Sequence, residues 1–589
     1  MLVSHHHAAL FFTCLLGASL AAPLRAGDDA KSAPMSKVFE IEAFRDDSSS
    51  PMRSMIHRYS EDYGLLRRFY DMRFSPARLD ACRTFTNEWI QRLKDADFNA
   101  LDLEGQVDYH LLRNKLDHEL SLLSQTQSKN EAASKLLPFA PTIWELYDSL
   151  RKIEPVDPIK TADVMTSLSA AIADADKAVK NKTVTADPLV AMHAGYVLDD
   201  LDRGLRRWYS FRDSYDPQFS WWLSEPNSKV VKAIADYRAS LRGISVGTSD
   251  NDPIIGQPIG RDALLAELKL EMIDYTPEEL IQIGERELVW CHNEMKKAAA
   301  EMGYGDDWHA ALTEVETRHV PPGDQPKLIK ELAEEAVAFI EQRDLVTIPK
   351  VCKMLWQMEM MTPQRQRVNP YFTGGETISV SFPTQEMAHA DKLMSMQGNN
   401  IHFSRATVHH ELIPGHHLQL YMADRYRPHR QLFRTPFQVE GWALYWEMLL
   451  WDLDFGKTPE DRMGMLFWRS HRCARIIFSL KYHLSQMTAD EAVAFLVENV
   501  GHNKRNATAE VRRSVEGAYG PLYQAAYMLG GLQIMNLRKQ LVDTGKMTDK
   551  DFHDMILYQN SVPNKAVKAI LLEEKLTTEG FPEWRFYDL

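Results

Sequence analysis

The stretch His409-His410-Glu411-Leu412-Ile413-Pro414-Gly415-His416-His417-Leu418-Gln419 restricts this chain more than any other. Four imidazoles and one carboxylate fall within nine positions, and Glu440 follows inside Val439-Glu440-Gly441-Trp442-Ala443-Leu444-Tyr445. Catalytic zinc takes three protein ligands and keeps one position open, in peptidases commonly two His and one Glu. In the usual arrangement two His four residues apart share one helix face, and a Glu directly after the first is the general base. Here His410 and His416 are six apart, and His410 and His417 seven. Six residues of straight helix rise about 9 Å, whereas two nitrogens on one zinc each lie about 2.0–2.1 Å from it. A fold that uses this stretch as a site must shorten the helix within it.

Pro414 and Gly415 supply the means. Proline inside a helix loses its N–H and clashes with the carbonyl four residues back, here that of His410, and glycine accepts the torsions that follow. A bulge at this pair absorbs two residues and restores the interval of four between His410 and His416. His410, His416 and Glu440 are therefore the expected metal ligands. His417 is the alternative second ligand, or a group supporting the ligands from behind. Glu411, next to the first ligand, is placed to take a proton from the attacking water and return it to the leaving amine. Trp442, Tyr445 and Trp446 read as core, and Glu447 as either support for a ligand or exposed surface.

The remainder bounds the setting. Ala8 to Leu20 carries no charge and is followed by small residues near Ala21, Ala22 and Ala26. That reads as a signal peptide over 1–26, too short for a membrane span, and implies export to the periplasm or beyond with no stable membrane insertion. Cys14 lacks the small residues that precede a lipidated cysteine. Residues 27–50 read as a polar linker, and 51–589 as a single helical catalytic domain, with room for two halves around a cleft. A net charge of −14 argues against nucleic acid as a partner. Cys82, Cys291, Cys352 and Cys473 form no CxxC pair, which disfavours a cysteine-based site.

Apolar spacing and caps predict helices from Ser75-Pro76 to about Ala96, over Leu101 to Gln125, and near 158–180, 187–213, 226–243 and 261–272. Thr276-Pro277-Glu278-Glu279 and Thr488-Ala489-Asp490-Glu491 read as capping boxes, the first opening a helix to about Met302. Pro370 to Pro383 breaks the pattern with a double glycine and then alternating β-branched and aromatic residues. It predicts a short strand or hairpin, either a small structural sheet or an open edge on which a peptide substrate pairs its backbone.

His410 to Gln419, together with Glu440 to Tyr445, resembles the bacterial family catalogued as domain of unknown function 885. The resemblance runs from the Val107-Asp108-Tyr109 helix to Leu537-Arg538. It implies an exported zinc metallopeptidase of largely helical fold, remotely similar to carboxypeptidase Taq and angiotensin-converting enzyme, whose sites lie in a deep cleft between helical halves. The fold class expected is thus mainly α, metallopeptidase-like, with a small β element beside the active site. Those relatives use two His, a base Glu and a downstream Glu, in line with His410, Glu411, His416 and Glu440. They also use a tyrosine and a histidine downstream as oxyanion donors, which implies Tyr527 and His483, with Tyr523 and Tyr519 close behind. Ser479 and Lys481 depart from the Asp and Gly usual in the family, and Gly520 to Tyr527 alters a Pro-Gly-Gln step, so substrate preference does not carry over. Arg512 and Arg513 read as holding a substrate carboxylate or as surface ion pairs.

The function expected is zinc-dependent hydrolysis of short peptides. Hydrolysis of a non-peptide amide or ester, and peptide binding without catalysis, are the competing readings. Oligomeric state is left open.

Overall fold

Helix starts follow local chemistry in the computed structural model, which describes residues 50, 52–246, 253–366, 371–517 and 519–589. Thr276 accepts from the Glu279 N–H while Glu279 accepts from the Thr276 N–H, and the helix Pro277–Glu301 follows. Thr488 and Glu491 repeat the device ahead of Ala489–Val500. Each box satisfies N–H groups that a helix start otherwise leaves unpaired. The predicted helices are present as Pro76–Lys94, Leu103–Ala133, Pro158–Lys180, Pro188–Ser210, Pro217–Val246 and Arg261–Leu270. Two are longer than their periodicity suggests, and Pro226 is accommodated inside Pro217–Val246. The signal peptide and nearly all of the linker lie outside the described residues.

The fold is mainly α. A large apolar core spans helices from both ends of the described chain, including Trp89, Trp442, Trp446 and Phe552. A second core joins Ala140–Arg151, Pro158–Lys180, Pro188–Ser210 and Pro217–Val246 through Ile143, Ile172, Trp208 and Tyr237. The described residues belong to one compact unit. No described helix is long and apolar enough to cross a membrane.

One extensive helix pairing in this unit sets the site. Pro436–Asp452 carries Glu440 and packs against Tyr523–Leu541, which carries two tyrosines of the site. A Cβ at Gly441 would fall 2.6 Å from Gly530 Cα, and one at Gly530 would fall 2.0 Å from the Phe437 carbonyl oxygen. Only glycine allows this approach. It brings the turn bearing Glu440 alongside the turn bearing Tyr527. Trp442, Tyr445 and Trp446 are fully buried on the same helix, each stabilising it by about 1.5–3 kcal/mol.

Of the two forms expected for the β element, the structure has the small structural sheet. Thr377–Val380 forms a strand, but its ladder partner is Gln357–Met360, parallel and in the register Gln357 with Thr377. On its other side Ser379 exchanges both backbone hydrogen bonds with Thr373, at 2.8 and 3.2 Å. The strand is therefore flanked on both sides and is no open edge for a substrate backbone. The residues that reach the site are Tyr371 to Gly374, just before it.

Candidate metal centre

The helix does not bulge at Pro414; it ends. Ile401–Glu411 stops at Glu411, and a new helix, His416–Ala423, starts at His416. The turn between them is closed by its own backbone. Gly415 N–H donates to the His409 carbonyl at 3.0 Å and His417 N–H to that of Leu412 at 3.0 Å. The peptide bond before Pro414 is cis. A Cβ at Gly415 would lie 1.8 Å from the His410 carbonyl oxygen, so no other residue fits there. The Trp442 indole donates to the Pro414 carbonyl at 2.8 Å and fixes the turn against the Glu440 helix. The bulge expected from the spacing is corrected to a full break, which achieves the same end: His416 swings back beside His410.

The two rings lie 4.8 Å apart at right angles. His410 Nε2 is 3.7 Å and His416 Nε2 3.2 Å from Glu440 Oε2. Tetrahedral ligands at zinc distances are separated by roughly 3.3 Å. The three potential ligand atoms lie within 4.8 Å of one another, and all three residues are buried. Apart from these two imidazole nitrogens, Glu440 Oε2 is buried without a partner, and a cation between the three groups would satisfy it. Two imidazole nitrogens and a carboxylate suit zinc. The residues fit the ion.

Groups behind the candidate ligands aim them. His410 donates from Nδ1 to Glu447 Oε1 at 2.6 Å, which turns Nε2 toward the centre. Glu447 is thus buried support rather than surface. The Tyr523 hydroxyl donates to Glu440 Oε1, leaving Oε2 for the centre. Burial alone would lower the His410 imidazole, but Glu440 and Glu447 outweigh it and raise it to about 9. A ligand histidine must be neutral, so taking up a cation here releases a proton. Burial would raise Glu440, but His416 and His410 hold it well below the usual carboxylate range.

The other histidines of the stretch turn away. His417 donates from Nε2 to the Cys352 carbonyl at 2.8 Å, and His409 is buried edge-on against Phe455. Burial pushes His409 down to about 4, so it sits in the core as a neutral ring.

Glu411 lines the same cavity, of about 280 Å³. Burial raises its carboxyl against the opposing pull of His410 and His416. Gly374 lies directly on it, since a Cβ there would fall 2.5 Å from Glu411 Oε2. Tyr527, Tyr523 and Tyr519 line the cavity too. The Tyr527 ring stacks 6.2 Å from His410, and burial, aided by Glu440, raises its hydroxyl to about 12.

His483 is not brought to this cavity. It closes the helix Pro459–His483, about 12 Å along the axis from Arg475 at about 1.5 Å per residue, buried beside Tyr482. The same helix instead offers Arg472 and Arg475, which the sequence reading did not single out. The pair Arg512 and Arg513 divides: Arg512 binds Glu516 and the Pro253 carbonyl, while Arg513 faces the cavity.

The chain belongs to the family described as bacterial protein of unknown function (DUF885), whose model matches residues 63–571. Among solved structures it is similar to a protein from Shewanella oneidensis, provisionally assigned as a lipoprotein of unknown function. That match has 17% identity and a TM-score of 0.66, over 88% of this chain and 99% of the other. A protein from Colwellia psychrerythraea, provisionally assigned as a lipoprotein, matches at 18% identity and a TM-score of 0.54, over 85% of this chain and 91% of the other. At these identities the likeness shows the fold. No curated protein matches the chain.

Proposed function

We propose that this member of the family is an exported zinc-dependent peptidase acting on short peptides. The observation that carries the reading is the convergence of His410 and His416 on Glu440 Oε2, with Glu411 in the same cavity. When bound, zinc supplies a Lewis acid that polarises a carbonyl oxygen and acidifies water. Glu411 takes the proton of the attacking water and delivers it to the leaving amine. Its burial-raised carboxyl suits that work, because a general base operates best with a pKa near the working pH. The Tyr527 hydroxyl donates to the carbonyl oxygen as negative charge builds on it. A cavity of about 280 Å³ takes a few residues of extended chain, not a folded protein. The uncharged run Ala8 to Leu20 and the lipoprotein assignments of the two structural neighbours support an envelope or extracellular location.

Replacing Glu411→Gln tests the reading. Metal content stays at the native level, while cleavage of a mixed peptide library falls by about 10²–10⁴-fold. Full activity in that variant contradicts the mechanism. Cleavage of small amides or esters alone transfers the same residues to a non-peptide substrate, and tight peptide binding without any turnover favours a binding protein.

A further inference from the structure

Three arginines in the wall of the cavity keep guanidinium N–H groups that no protein acceptor satisfies. Arg472 and Arg475 from Pro459–His483 and Arg513 from Lys504–Val515 all line it. Arg472 and Arg475 are 5% and 3% exposed, and arginine cannot shed its proton to escape burial. Glu510 serves two of the three, accepting from Arg475 Nε at 2.7 Å and lying 3.7 Å from Arg513 Nε. The ion-pair partner of Arg472 is Glu447, at 3.8 Å, and that carboxylate already accepts from His410 at 2.6 Å; Glu411 acts on Arg472 through charge alone. Arg472 Nε, Arg475 Nη1 and Arg513 Nε are buried without a hydrogen-bond partner. Buried guanidinium groups left in this state are expensive unless an anion completes them.

Tyr527 fixes how far this charge lies from the chemistry. Its ring stacks 6.2 Å from His410 on one side, and the guanidinium carbons of Arg472 and Arg475 sit 4.6 and 4.5 Å from its centre. Arg513 packs over Tyr519 at 4.8 Å, next along the same wall. An extended chain advances about 3.3–3.6 Å per residue. A group that reaches these arginines from a carbonyl at the metal centre is therefore one or two residues away from it.

We infer that Arg472, Arg475 and Arg513 form a carboxylate subsite, and that the substrates are peptides whose C-terminal carboxylate lies one or two residues beyond the bond cut. The inference rests on the peptidase reading above for what happens to the bound peptide, but the subsite itself is a matter of binding. Charge-assisted hydrogen bonds from arginine to a carboxylate are about twice as strong as neutral ones. A C-terminal amide, which carries no charge, loses them.

The test uses the mature chain carrying Glu411→Gln, with calorimetric binding of N-acetyl-Ala-Ala-Ala, its C-terminal amide, and N-acetyl-Ala-Asp amide. The free acid binds about tenfold or more tighter than its amide, and the gap closes in Arg513→Gln but largely persists in Arg513→Lys. Arg513 is chosen because its side chain is the most exposed of the three, at 15%. Arg475→Gln, checked for folding by circular dichroism, gives the same closure. Acid and amide binding within twofold of each other overturns the subsite, and so does a gap unchanged in Arg513→Gln. If the Asp-bearing amide matches the free acid, the C-terminal assignment is overturned in favour of an acidic side chain. The two readings fail separately. Acid-selective binding with no cleavage by the native protein removes the peptidase and leaves the subsite, while equal cleavage of acid and amide removes the subsite and leaves the peptidase.

Discussion

His410 Nδ1–H donates a hydrogen bond to Glu447 Oε1 at 2.6 Å, and this contact points its other nitrogen at Glu440. Glu447 is buried and lies two helical turns beyond Glu440, so one helix supplies both a candidate ligand and the group that aims another. Glu447→Gln should lower zinc affinity by about 10–100-fold, read by competition with a chromophoric chelator. Native affinity in that variant would show that His410 is aimed by something else.

Tyr527 is the cavity hydroxyl assigned to the oxyanion in the proposed reaction, whereas the Tyr523 hydroxyl donates its hydrogen bond to Glu440. Tyr527→Phe should reduce kcat by about 10²–10³-fold with metal content and KM little changed. Tyr523→Phe should instead weaken the metal. Steady-state kinetics and metal analysis on the two variants separate these roles, and identical behaviour would merge them.

Gly415 has a backbone oxygen where a side chain would begin, 1.8 Å from an ideal Cβ. No rotamer relieves a contact with the main chain. Gly415→Ala should cost at least the upper end of the about 1–3 kcal/mol typical of overpacking and should lose metal along with stability. Denaturant melts with and without chelator measure both, and a native midpoint would mean that the turn relaxes freely.

Burial alone would raise the Glu510 carboxyl, but Arg475 and Arg513 outweigh it and hold it at about 2. A carboxyl depressed in the folded state stabilises the protein above its unfolded pKa, and that contribution fades as pH falls toward the folded value. Glu510→Gln should therefore cost about 3–5 kcal/mol near neutral pH, as when one partner of a buried ion pair is removed. The difference from the native protein should shrink between about pH 4.5 and 2. Urea midpoints across that range check it; a difference independent of pH would assign the loss to packing.

Much of the site could be read from the chain because its chemistry is local. His410, His416 and Glu440, singled out by identity and spacing, converge in one buried cluster with Glu411 in the same cavity, and the capping boxes at Thr276 and Thr488 announce their helices. What was not legible depends on distant partners. Pro414-Gly415 is compatible with either a bulge or a break, and the Trp442 indole on the next helix holds the break in place. Gln357–Met360 lacks β-branched residues and is a strand only because Thr377–Val380 lies beside it. Arginines at helical spacing usually read as a solvated face. The signal that Arg472 and Arg475 are different lay in their neighbours, since Cys473, Ala474, Ile476, Ile477 and Phe478 leave that stretch no solvated side. His483, implied by resemblance alone, ends the same helix away from the cavity.

The central claim is that His410, His416 and Glu440 hold one metal ion. Zinc analysis of the purified chain and single alanine variants, after saturation and desalting, tests it most directly. One zinc per chain is expected, lost in His410→Ala, His416→Ala and Glu440→Ala and kept in His417→Ala and His409→Ala. No bound metal in the native protein, or loss in His417→Ala with retention in His416→Ala, would contradict it.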